Sequence, residues 1–237
     1  MCTIILAHRC WRTTPLLIAA NRDEQVSRPS RSPERWASGI LAPVDEQAGG
    51  TWLGHNASGV VAAVTNRFGA PPDARKRSRG ELVPRALTAA SAEEAARLFQ
   101  PQDGAAYNPF NMLIADIETA WLVRSESERV HAQRLTRGVH VVTERSGLAF
   151  RSEREVSLRE VVGQWKGERS PTDAHLIDVL GRHHDEPFDG HCVHLPELNY
   201  ATRSSSLLRA DAYGALTWQF ADGPPCTAPF VTVRGPT

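Results

Sequence analysis

The chain has 237 residues, enough for one large domain with a substantial core or for two small ones. Lys plus Arg and Asp plus Glu both number 27, so the formal net charge is zero and gives no overall electrostatic reason to expect nucleic acid or an anionic membrane as a partner. No stretch approaches the ~20 apolar residues of a membrane span, and the four cysteines, Cys2, Cys10, Cys192 and Cys226, form no CxxC and follow no secretory leader, which predicts a cytoplasmic protein without disulfides.

Taken in order, the chain opens with two short apolar runs, 3–7 and 15–20, the second ending in Asn21, Arg22, Asp23 and Glu24. Both read as buried strands of one hairpin. Residues 27–35 alternate Ser, Arg and Pro and read as an extended loop, because Pro disfavours both helix and ladder pairing. Gly49, Gly50, Thr51, Trp52, Leu53 and Gly54 suggest a tight turn into a short strand with close backbone approach. A strand over 59–65 ends at Asn66. Ser78 is placed to cap a helix through 87, with Pro84 near its first turn. Ser91 and Glu94 form a capping-box pattern opening a second helix, which Pro101 stops.

Short strands over 111–116, 120–123, 129–135 and 139–143 read as an antiparallel meander. Leu158, Val161, Val162 and Trp165 recur at helical spacing, and a further helix spans 173–183 with Thr172 as its cap. After a His-rich loop come residues 200–208 and two strands, 215–220 and 227–233. No repeat or linker interrupts the chain. The expectation is a single α+β domain over 1–237, with helices covering mainly antiparallel sheets.

The hairpin carries the chemistry. Antiparallel pairing of its strands puts Cys2 at the same end as residues 21–24. A thiol is nucleophilic only as thiolate, and its unperturbed pKa of about 8.5 leaves little thiolate at neutral pH. If Met1 is removed, the α-amine of Cys2 can take the proton, so one residue supplies nucleophile and base. Arg22 would stabilise thiolate, and Asp23 would hold the amine or orient Arg22. The same polar run equally suits a turn with solvated charges. Asn21, Arg22 and Trp52 are the residues expected to meet a substrate.

Several segments together resemble the NRDE family, also called the Transport and Golgi Organization 2 family. They are the Met1-Cys2 start, residues 19–24 with Arg28 and Pro29 after them, 49–54, Thr65 with Asn66, Ser78 to Gly80, Asn108 to Asn111, and Thr202 to Ser206. The resemblance implies a more distant likeness to cysteine N-terminal-nucleophile hydrolases such as penicillin V acylase and conjugated bile salt hydrolase. It thereby implies a four-layer αββα sandwich, with Cys2 as nucleophile, Asp23 near the free amine, Asn66 lining the oxyanion hole and Arg203 as a late active-site Arg.

Two positions depart from that pattern. An Arg of the hydrolases aligns with Ala20 or Ala19, and a second oxyanion Asn aligns near Glu144. A carboxylate donates to an oxyanion only when protonated, and losing one such donor typically costs ~10²–10³ in rate.

The resulting expectation is hydrolysis of a non-peptide C–N bond in a small or lipid-like substrate. The alternative is a non-catalytic carrier of haem, lipid or acyl-CoA on the same scaffold. No cofactor is assigned, with haem a ligand only under that alternative. His183, His184, Asp185, His191, Cys192 and His194 have the residue types of a zinc site, but their spacing matches no established finger; the loop reads as solvated, and no metal is assigned.

Overall fold

The computed structural model describes residues 2–69, 71–126, 128–148, 152–165 and 167–234. The chain divides into two compact units, Met1–Arg28 with Arg137–Val233, and Pro29–Thr136 with Arg234–Thr237. Each is built on one seven-stranded sheet whose named strands all pair antiparallel.

The first unit contains β1 (Cys2–His8), β2 (Leu16–Gln25), β10 (Gly138–Val142), β11 (His194–Leu195), β12 (Tyr200–Ala210), β13 (Leu216–Ala221) and β14 (Val231–Thr232). Their order is β10-β1-β2-β12-β13-β14, with β11 added beside β12. Along β1 and β2 both faces are buried, which is why these strands read as continuous apolar runs. One face carries Ile5, Ala7, Leu17, Ala19, Val141 and Leu207 against the apolar sides of α3 (Glu153–Gly163) and α4 (Asp173–Leu180). Both helices start on hydroxyl caps. Ser152 Oγ accepts from the Glu155 N–H and Thr172 Oγ1 from the His175 N–H, each at 3.3 Å.

The second unit is a sequential meander, β3 (Ser30–Arg35), β4 (Leu41–Asp45), β5 (Leu53–His55), β6 (Val61–Asn66), β7 (Phe110–Ala115), β8 (Ala120–Glu126) and β9 (Arg129–Arg134). Two short helices, α1 (Leu82–Ala86) and α2 (Ala92–Arg97), are inserted between β6 and β7 and pack on Ala62, Val64, Met112, Ile114 and Val123. Gly50 and Gly80 allow a backbone crossing. A Cβ on Gly50 would lie 2.4 Å from the Gly80 carbonyl carbon, and the Thr51 N–H donates to the Gly80 carbonyl oxygen at 3.0 Å.

The α+β expectation holds, with five local corrections. The helix expected from a Ser78 cap through 87 is a 3₁₀ turn, Arg79–Glu81, which Ser78 caps, followed by the five residues of α1. Residues 30–35 are a strand, not a loop. They lie at the sheet edge, where ladder donors are dispensable, and the register against β4 shifts between Arg31 and Glu34, around Pro33. The meander expected over 111–143 stops at β9, because β10 pairs with β1 in the other sheet. The helix expected over 173–183 ends at Leu180. The strand expected over 227–233 is only the two residues of β14, since residues 222–230 turn.

Candidate active site

The register of the hairpin places its polar end. Cys2 pairs with Arg22 across β1 and β2, and Arg22 pairs with Ser204 across β2 and β12. Paired residues share a face, so Cys2, Arg22 and Ser204 form one row on the side opposite the helices. Asn21 and Asp23 point the other way, towards α3 and α4, as their contacts show. Cys2 stands at the start of β1, so its backbone nitrogen lies at the strand end where β2 runs on into Asp23.

Asp23 is the most tightly held carboxylate of the site. Thr202 Oγ1 donates to its Oδ1 at 2.7 Å, and Arg154 Nη1 donates to its Oδ2 at 2.8 Å. The Tyr200 hydroxyl donates to the Asp23 carbonyl oxygen at 2.9 Å. The Arg154 and Asp23 side chains are 1% and 0% exposed, so neither charge can turn to water if the other is removed. Arg154 Nη2 also donates to the Phe188 carbonyl oxygen at 2.9 Å. Burial pushes the Tyr200 hydroxyl far above its ordinary pKa, and the Asp23 carboxylate adds to the rise.

Cys2 is half-buried. Burial raises its thiol pKa, and the Asp23 charge raises it further, against a hydrogen bond from the Asp23 backbone N–H and the Arg22 guanidinium. Asp23 therefore acts on Cys2 in opposite senses: its N–H favours thiolate at sulfur, while its carboxylate disfavours it.

Arg203 is the extra residue of a β-bulge, where the register of β12 against β2 shifts between Thr202 and Ser204. This puts it one pair from the row of Cys2, with Nε buried and lacking a hydrogen-bond partner among the described residues. Asn21 is bound within the fold. Its amide donates to the carbonyl oxygens of Leu180 and His191 at 3.0 and 2.9 Å, and accepts from Ser205 at 2.6 Å. Glu144 lies in the turn after β10, and the register Ile4↔Val142 brings it level with Cys2. It is buried, its Oε2 lacks a hydrogen-bond partner among the described residues, and Arg145 Nε is 3.9 Å away. Its charge also reaches Arg154.

Trp52 and Asn66 belong to the second unit. Trp52 is half-buried against that unit's core, and Asn66 is the exposed last residue of β6, paired with Phe110.

Sequence reasoning missed Arg154. It had one usable signal. A cation in the first turn of a helix opposes the helix dipole, so an Arg two residues after the Ser152 cap implies a specific anionic partner.

Comparison with solved structures shows which fold carries this hairpin. A Caenorhabditis elegans N-acylethanolamine-hydrolysing acid amidase ortholog superposes with a TM-score of 0.60 at 11% identity, over 87% of this chain and 92% of that one. The C2A mutant of conjugated bile acid hydrolase from Clostridium perfringens gives 0.51 at 12% identity, over 100% and 97%. Penicillin V acylase from Agrobacterium tumefaciens gives 0.50 at 12% identity, over 94% and 83%. The chain thus has the fold of the N-terminal-nucleophile amide hydrolases.

The sequence relatives narrow this to a family. The profile described as Transport and Golgi organisation 2 matches residues 1–219. A Bos taurus Transport and Golgi organization protein 2 homolog is 30% identical over 235 residues, covering 86% of this chain and 84% of that protein. The Homo sapiens homolog is 40% identical over 110 residues, which is 44% of this chain and 40% of that protein. The chain belongs to the Transport and Golgi organisation 2 family.

Proposed function

We propose that this chain, once Met1 is removed, is an N-terminal-cysteine amide hydrolase for a non-peptide C–N bond of a small or lipid-like substrate. The observation that carries the reading is the end of the β1–β2 hairpin. There Cys2 shares a row with Arg22 at the strand end where β2 runs on into Asp23, whose carboxylate is held by Arg154 and Thr202. The amide-hydrolase names of the superposing structures support the substrate class.

The α-amine of Cys2 takes the thiol proton, and the thiolate attacks the acyl carbon. The tetrahedral intermediate collapses, the C–N bond breaks, and the leaving amine takes the proton from the α-ammonium. Water then attacks the thioester with the α-amine as base, releasing the acid and restoring the thiol. In this reading Asp23 keeps the amine oriented, and Arg203, in the β12 bulge one pair from the Cys2 row, meets the acyl group.

Intact mass and a thiol-directed probe test the nucleophile. A chain beginning at Cys2, labelled at Cys2 and unlabelled there in Cys2→Ala, supports it. A purified chain that retains Met1, or hydrolysis of a fatty-acyl ethanolamide, conjugated bile acid and penicillin V panel undiminished in Cys2→Ala, sinks it.

A second reading, binding and transfer of such a ligand without turnover, is favoured by Glu144, a buried carboxylate level with Cys2 and near the position that the family resemblance aligns with a second oxyanion Asn. The two separate on Glu144→Asn. Restoring a donor is expected to raise the acylation rate by ~10²-fold if the site turns over, and to change only ligand affinity if it does not. Absorbance titration with haem reports on the haem version of that reading through a Soret shift.

A further inference from the structure

Outside the Cys2 site, the first unit gathers four metal-binding side chains at one point. His183, Cys192, His194 and Cys226 each offer a ligand atom within 4.8 Å of the other three. Cys192 Sγ is 3.7 Å from Cys226 Sγ and 3.4 Å from His194 Nε2, and His194 Nε2 is 3.2 Å from Cys226 Sγ. The His183 ring stands edge-on to that of His194, with centroids 5.1 Å apart.

These lengths have a specific meaning. With Zn–S at about 2.3 Å and Zn–N at about 2.0–2.1 Å, a tetrahedral ion sets two thiolates ~3.8 Å apart and a thiolate ~3.5 Å from an imidazole nitrogen. The observed edges agree to within a few tenths of an ångström. A disulfide would need sulfurs at about 2.05 Å, and both cysteines are free.

We propose that His183, Cys192, His194 and Cys226 form a Cys₂His₂ site for one Zn²⁺. Two thiols release their protons to solvent on binding, and with two neutral imidazoles the complex carries no net charge. Four protein ligands close the tetrahedron, which makes the site structural rather than catalytic. Cys192 is buried while the other three ligands are exposed, so the ion enters from solvent and ends against the protein.

The ion would tie three separate segments. His183 follows α4, Cys192 and His194 flank the entry to β11, and Cys226 sits in the loop between β13 and β14. Between the two middle ligands, the Val193 N–H donates to Thr202 Oγ1 and the Val193 carbonyl oxygen accepts from the Thr202 N–H, both at 2.9 Å. Thr202 Oγ1 in turn donates to Asp23. The zinc therefore braces the strand that holds Asp23, through protein hydrogen bonds and without touching the Cys2 row.

The test is elemental analysis of the full chain, purified under reducing conditions and then loaded with Zn²⁺ alone. One equivalent is expected, and Co²⁺ in its place should show tetrahedral ligand-field bands with thiolate charge transfer. Cys192→Ser and Cys226→Ser should each abolish the charge-transfer pattern of a two-thiolate site. His183→Ala, at an exposed position, should weaken binding at least ~10-fold while the far-UV circular dichroism stays that of the wild type. No zinc retained by a folded, loaded chain would overturn the proposal. So would binding unchanged in Cys226→Ser, or a Cys192–Cys226 disulfide recovered from the reduced preparation.

Discussion

At the residue scale, the Asp23–Arg154 pair governs the geometry around Cys2. Both charges are withdrawn from water, so removing either leaves the other buried and uncompensated. Arg154→Met is expected to destabilise the protein by about 3–5 kcal/mol, measured by urea unfolding. The simultaneous loss of both charges in Asp23→Asn with Arg154→Met should cost less than the sum of the single changes. Tyr200 adds a pH signature. The folded hydroxyl resists ionising, whereas the unfolded one titrates near its ordinary value of about 10. Its contribution to stability is therefore complete below about pH 10 and is lost as the pH rises from there towards the raised folded value. Tyr200→Phe should flatten the loss of stability from about pH 10 upward in the same unfolding assay, relative to wild type, while leaving the curve below about pH 9 parallel to that of the wild type. Asp23 and Cys2 were legible as a pair from the sequence, because hairpin register is a local property. Arg154 was not, because its link to Asp23 spans 131 residues.

At the scale of elements, glycines and caps explain the motifs that have no chemistry. The runs around Gly50 and Gly80 are two faces of one crossing, where a side chain on Gly50 would meet backbone. Gly50→Ala is expected to destabilise the second unit by roughly 1–3 kcal/mol, because the opposing atoms are main chain and cannot rotate away. Thermal unfolding would show it. The Ser91 cap was readable from the sequence, and its Oγ accepts from the Glu94 N–H at 3.2 Å. The reciprocal bond shifts by one residue, since Glu94 Oε2 accepts from the Ala90 N–H rather than from Ser91. The β3 strand was misread because Pro is a poor ladder residue in general, yet an edge strand with a register shift tolerates it.

At the scale of the whole molecule, the neutral balance of charge is also met locally. Three of the four cations of the run 75–79 pair with carboxylates, and Arg79 donates to the Pro109 carbonyl oxygen at 3.2 Å. Arg75 bonds the Asp73 carboxylate at 2.9 and 3.0 Å, Lys76 lies 3.9 Å from Glu128, and Arg77 pairs with Glu81. Fluorescence anisotropy with duplex DNA at near-physiological salt should show no saturable binding; tight binding that weakens steeply with salt would contradict this. No helix among the described residues is long and apolar enough to cross a membrane.

The sequence by itself determined the α+β class, the hairpin that opens the chain, the starts of α2 and α4 and the polar end that holds Cys2 and Asp23. Those features depend on alternation along a strand and on neighbours within one helical turn. The tertiary structure alone decided that β10 leaves the meander to pair with β1, that Arg154 reaches Asp23, and that Cys226 joins Cys192 and His194 across 34 and 32 residues. Each of these is set by the register between strands and loops far apart in the chain, and local pattern carries no record of that register.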